Sequence, residues 1–138
     1  MRTALLAALF FASAACGSAT DDGDALPVTG TWDYAATQAV PPLNIHGTLR
    51  IDRQDGRFFS GSADLAETDL QGTLRNRTGQ LAGSMIGGDA VVEFDLFIDA
   101  ASRRHVGTLS HGDSMSGTWA YSGTIPPVTG SFRARKIP

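Results

Sequence analysis

The sequence predicts an all-β fold: an antiparallel up-and-down meander barrel of eight or nine strands, preceded by a signal peptide and a flexible tether. Three observations predict it. A unit of glycine, then Thr or Ser, then an apolar residue recurs at Gly30, Gly47, Gly61, Gly72, Gly83, Gly107, Gly117, Gly123 and Gly130, several of them 10 to 14 residues apart, the length of one strand plus one turn. Between turn signals, short segments alternate apolar and polar side chains with a period of two. Finally, Pro27-Val28-Thr29-Gly30-Thr31-Trp32 returns as Pro127-Val128-Thr129-Gly130-Ser131-Phe132. First and last strands therefore look equivalent, as they do when a meander closes and its two edges pair.

Residues 1–15 form the leader. Arg2, the apolar Leu5, Leu6, Leu9, Phe10 and Phe11, and the small residues Ala12 to Ala15 make an export signal. The apolar run is too short to cross a bilayer core of about 30 Å as a stable helix. Cys16 follows at once and is the only cysteine, so no disulfide can form within one chain. Residues 16–26 are small, polar and acidic, with Asp21, Asp22 and Asp24, and are expected to be a flexible tether. Residues 27–138 are the barrel domain.

The segment Ala14-Ala15-Cys16 resembles a bacterial lipoprotein leader, in which the cysteine is lipidated and becomes the mature N-terminus. Ser13 stands where that family has Leu, which leaves ordinary cleavage after Ala14 open. Lipidated Cys16 implies stable membrane anchoring, because several acyl chains hold where one binds only marginally. The resemblance also implies the outer membrane, since Gly17 replaces the aspartate associated with inner-membrane retention.

Candidate strands lie near residues 29–34, 43–52, 57–65, 69–76, 80–86, 90–99, 104–110, 114–121 and 129–137. Asp55-Gly56, Thr78-Gly79, Gly87-Gly88-Asp89 and His111-Gly112-Asp113 read as hairpin turns, with Asn76-Arg77-Thr78 as an approach to one. Alternation sets the facing. Val92, Phe94, Leu96 and Ile98 share one side of their strand, opposite Glu93, Asp95 and Asp99. Leu43, Ile45, Gly47, Leu49 and Ile51 do the same, as do Leu70, Gly72 and Leu74, and Met115, Gly117, Trp119 and Tyr121. Glycine thus keeps the apolar parity, where it lets a strand bend or a large neighbour fill the lumen. Both tryptophans are expected in the core. Phe58 and Phe59 are adjacent, so one ring must face outward. Pro41-Pro42 and Pro126-Pro127 cannot sit in central strands and mark longer loops at one rim, around Ala35 to Pro42 and Gly123 to Val128.

With these residues in view, the chain from Val28 to Ile137 resembles small exported meander barrels of the lipocalin-like or avidin-like kind. Gly30-Thr31-Trp32, the repeated glycine units, Ser116-Gly117-Thr118-Trp119 and Gly130-Ser131-Phe132-Arg133-Ala134-Arg135 carry the resemblance. It implies that Arg133 or Arg135 packs across Trp32. Two tryptophans do not supply the polar and aromatic set of an avidin-type biotin site.

The chain carries a formal charge of -3, and its arginines are scattered, which argues against nucleic acid as a partner. No nucleophile elbow or phosphate-cradling loop occurs. His111-Gly112-Asp113-Ser114 holds triad residue types only as neighbours in a turn, so no catalytic residue is assigned and no enzyme activity is expected. His46, His105 and His111 have no close metal-ligand spacing and read as turn and surface residues; neither a metal nor another cofactor is expected. The sequence therefore points to an exported, lipid-anchored envelope protein whose barrel holds a small apolar ligand by burial. Trp32, Tyr34, Phe94, Leu96, Trp119 and Tyr121 are the candidate lining residues. The same six suit a solid core, in which case function lies in the loops and a protein partner is unassigned.

Overall fold

Segments that alternate apolar and polar side chains bury one face each, and in the computed structural model, which describes residues 25–86 and 91–138, they close on themselves. Among the described residues the strands are β1 (Gly30–Gln38), β2 (Leu43–Asp55), β3 (Phe58–Asp69), β4 (Leu74–Ile86), β5 (Val91–Ile98), β6 (Ala101–Ser110), β7 (Ser114–Tyr121) and β8 (Val128–Lys136). Each pairs antiparallel with the next, and β1 pairs with β8 from Trp32↔Lys136 to Gln38↔Gly130. The echoed first and last strands do meet. The leader, Cys16, most of the tether and the Gly87-Gly88-Asp89 turn lie outside the described residues.

Parity holds around the wall. Val92, Phe94, Leu96 and Ile98 of β5 are buried, as are Ile45, Leu49 and Ile51 of β2, Met115 and Trp119 of β7, and Phe132 and Ala134 of β8. Phe59 points in while Phe58 is 57% exposed, with the Arg57 guanidinium 5.0 Å above its ring. Inward glycines make room for inward rings. A methyl on Gly83 would lie 2.5 Å from Phe94 Cβ and 2.7 Å from Phe59 Cζ, closer than carbon atoms approach.

The strand count and one turn need correction. Expected strands at 69–76 and 80–86 are a single β4, and Thr78-Gly79 lies inside it, paired with Asp64, Ala63 and Ile98. The turn is at Leu70–Thr73 instead. There the Asp69 carboxylate accepts the amides of Gln71 at 3.0 Å and Thr73 at 2.8 Å, and Gly72 takes φ +79°. Leu70 and Leu74, read as buried, are exposed for that reason. β1 also runs on to Gln38, which shortens the first proline loop to residues 39–42, and Asp99 sits in the β5–β6 turn with φ 47°.

The two ends of the barrel differ. At one, residues 25–28 cross the opening: Val28 is fully buried, its amide donates to Gln54 Oε1 at 2.9 Å, and Gln54 Nε2 donates to the Leu26 and Gly56 carbonyls. Ala25 and Leu26, placed in the tether by the sequence, pack against the core here. Trp32 lies above this plug and donates to the Val28 carbonyl at 2.9 Å. The cation over its ring is Lys136, with Nζ 5.9 Å from the centroid, because Arg133 and Arg135 have outward parity on β8. The other end carries the β1–β2, β3–β4, β5–β6 and β7–β8 connections, including both proline pairs.

Gly83→Ala is expected to destabilise the protein by about 1–3 kcal/mol, since overpacking forces Phe59 or Phe94 off its position. Urea denaturation checks this, and an unchanged midpoint would show that the lumen is not filled as described.

Candidate functional site at the mouth of the barrel

The loop-bearing end places charge where parity would otherwise place core. Glu67 follows Ala63 and Leu65 inward on β3, Arg77 precedes Gly79 and Leu81 on β4, and Arg103 precedes His105 on β6. Glu67 is 5% exposed and accepts from Arg103 Nη2 at 2.6 Å and Arg77 Nε at 3.3 Å. Arg77 Nη1 reaches on to Asp99 at 2.6 Å. Two cations and two carboxylates therefore form a neutral lattice across the mouth, which is how charges so near a core avoid an unpaired desolvation cost. The Arg103 guanidinium also lies 5.4 Å over the Trp119 ring.

Beneath it is an aromatic layer with a polar centre. His105 is fully buried, stacked on Phe94 with ring centroids 4.4 Å apart, and edge-on to Phe132 at 5.0 Å. Its Nε2 lies 2.8 Å from the Tyr34 hydroxyl and its Nδ1 lies 2.8 Å from the Arg103 carbonyl. A carbonyl only accepts, so Nδ1 carries the proton, and in the neutral ring Nε2 accepts from Tyr34. β1 and β6 are not neighbours, so this bond spans the lumen. Burial, opposed by the Arg103 carbonyl bond and reinforced by the Arg103 charge, lowers the His105 pKa from 6.5 to about 4. Burial likewise pushes the Tyr34 phenol above its ordinary value. The Trp119 Nε1 is buried, has no hydrogen-bond partner among the described residues, and packs against Gly130.

The six candidate lining residues fall in three places. Trp32 belongs to the closed end, whereas Tyr34, Phe94, Leu96 and Trp119 are buried in the filled lumen and Tyr121 is half-buried near the mouth. Free space lies at the rim, in a pocket of about 410 Å³ bounded by Pro41, Pro42, Leu43 and Leu70 on its apolar side and by Gln38, Glu67, Gln71 and Arg75 on its polar side. None of the six lines it. The sequence reading placed His105 in a turn or on the surface, and parity overturns that: counting back from Leu109 through Gly107 puts His105 and Arg103 inside. The same count from Ala63 and Leu65 places Glu67. His111 is in the β6–β7 turn and His46 faces outward. Among the described residues no group of three or more His, Cys, Asp or Glu is arranged to hold a metal ion.

No family model matches the chain, and no curated protein matches it. Solved structures do match in fold. EF1p2_mFAP2b bound to DFHBI shares 11% identity at TM-score 0.63, covering 80% of this chain and 94% of that one. A redesigned β-barrel, mFAP1, bound to DFHBI shares 12% at TM-score 0.61 over 79% and 94%. A fluorescence-activating β-barrel of de novo design shares 16% at TM-score 0.58 over 83% and 98%. At these identities the likeness is one of architecture: the chain is similar to small closed meander barrels, some of which were solved with a small molecule bound.

Two predictions come from the lumen. With a folded pKa near 4 against 6.5 unfolded, neutral His105 contributes stability that is complete above about pH 6.5 and falls away as pH drops to 4. The loss is on the order of 3 kcal/mol, readable as a falling urea midpoint with a His105 ring NMR titration centred near 4. A ring titrating near 6.5 would contradict its burial. Tyr34→Phe removes the donor to Nε2 and should cost roughly 1–3 kcal/mol, measured by the same denaturation at pH 7.5.

Proposed function

We propose that this is a lipid-anchored envelope protein that binds a small, largely apolar molecule with a polar end, by burial and without a covalent step. The pocket at the mouth carries this reading. Its volume of about 410 Å³ is that of a small-molecule site, one wall is apolar, and a buried, doubly bonded carboxylate lies at its polar side. The apolar part of the ligand packs on Pro41, Pro42, Leu43 and Leu70. Its polar end meets Gln38, Gln71 and Arg75, while the Glu67–Arg103 lattice presents a charged, neutralised floor. That barrels of this topology were solved with DFHBI bound supports the reading, since the architecture is compatible with a bound small molecule.

Anchoring rests on the leader. Acylation of Cys16 would place the lipid at most about 33 Å of extended chain from Ala25, which enters the barrel at its plugged end.

A second reading has its own observation. The lumen below the lattice is filled by Tyr34, Phe94, His105, Trp119 and Phe132, while Val40, Leu70 and Ile125 on three mouth loops are between 74% and 101% exposed. Those loops would then contact a protein partner and the barrel would be a solid support.

Mass spectrometry of the full chain, extracted gently from membranes, separates the two. A bound amphiphile is expected, retained in Ile125→Ser and reduced at least tenfold in Leu43→Trp, which fills the pocket. Absence of any bound small molecule, or equal loading in Leu43→Trp, favours the loop reading. Cys16→Ser is expected to move the protein from the membrane to the soluble fraction, and continued membrane association would remove the anchoring proposal.

A further inference from the structure

The outer wall carries a second hollow that the mouth does not explain. Outward on β1 and flanked across both ladders are Asp33, Ala35 and Thr37. Ala35 pairs with His46 on β2 and Arg133 on β8, Asp33 with Thr48 and Arg135, and Thr37 with Asn44 and Ser131. A short side chain between long ones leaves a trough. Two hollows of about 360 Å³ each share Ala35, His46 and Arg133; one extends to Thr37, Asn44 and Ser131, the other to Asp33, Ser114 and Arg135. Neither shares a residue with the mouth pocket.

The charges in this trough are unspent. Among the described residues Arg133 and Arg135, like Arg50, Arg53, Arg57 and Arg75, have no carboxylate within 4.0 Å, whereas Arg77, Arg103 and Arg104 each hold one at 2.6 Å. A free guanidinium is a planar fork that matches a carboxylate through two parallel hydrogen bonds. Around it stand hydroxyl and amide groups: Thr37 and Ser131, 3.0 Å apart, with Asn44 and Ser114. The single acid in the trough, Asp33, accepts hydrogen bonds and repels a second anion. One anionic group surrounded by several hydroxyls meets all of these demands, and a compact dianion does not.

We propose that the β1 trough binds an acidic saccharide, with the carboxylate of a uronate unit on Arg133 beside His46 and the hydroxyls of that unit and its neighbour on Asp33, Asn44 and Ser131. Ala35 is the floor that lets the sugar ring approach the sheet. The site is independent of ligand binding at the mouth.

Titration of the full chain with a trimer of galacturonic acid, followed by amide NMR shifts and calorimetry, tests it. Shifts are expected at Ala35, His46, Ser131 and Arg133, and Arg133→Gln should weaken binding at least tenfold. Ala35→Leu should abolish binding by filling the floor. Arg133 lies on the outer face, so Arg133→Gln leaves the melting temperature unchanged and a lost signal reports recognition and not unfolding. Maltotriose, neutral and of equal length, should not bind. The proposal is overturned if the trimer fails to bind, if it binds Arg133→Gln as tightly as the unsubstituted protein, if maltotriose matches it, or if inorganic sulfate reproduces its shifts and affinity and so reveals a simple anion site.

Discussion

The ladder between β1 and β8 is the constraint on which the rest of the structure depends. Seven residue pairs, from Trp32↔Lys136 to Gln38↔Gly130, join the two ends of the meander. Without them the sheet would present two open edges and its apolar face would have nothing to enclose. With them, parity acquires an absolute meaning: every residue of one set points into a single volume. That volume is small, and its contents must fit one another. Glycines at inward positions are therefore part of the packing, as at Gly83, whose missing side chain is the space that Phe59 and Phe94 occupy.

Closure also forces polar groups that keep inward parity to find partners across the lumen. Tyr34 and His105 satisfy each other from strands that do not touch, and the remaining ring nitrogen of His105 is spent on its own strand's Arg103 carbonyl. One inward position nearer the mouth, Glu67, Arg77 and Arg103 solve the same problem with charge. Such networks are costly when half satisfied and specifying when complete. Together with the plug of residues 25–28 held by Gln54, they give the barrel a sealed end and a polar end, with the rim pocket at the latter.

Much of the architecture was legible in the sequence because a closed, two-faced sheet writes itself in period two. β2, β5 and β7 could be read residue by residue, and the echo at Pro27 and Pro127 located the seam, although the inward and outward sides of β8 were not read from it. The β3–β4 hairpin was misread for physical reasons. Thr78-Gly79 has turn composition, yet Gly79 is a glycine because any larger residue would meet the Phe97 carbonyl and lie 2.8 Å from Ile98 Cγ1. The true turn spends its polar signal on one side chain, Asp69, and two exposed leucines imitate a buried face beside it. The site was less legible still. Composition marks histidine and arginine as surface residues, and only counting parity through Gly107 and Leu109 would have carried Arg103 and His105 inside. The rim pocket depends on how the loop after Gln38 stands against the one after Asp69, which alternation does not encode.

The most direct test of this account is a set of proton NMR contacts across the seam of the full chain at pH 7.5. It predicts backbone contacts between Tyr34 and Ala134 and between Ala36 and Phe132, with amide exchange along β1 and β8 as slow as in β5. Fast exchange on both terminal strands, with those contacts absent, would mean an open sheet and would contradict it.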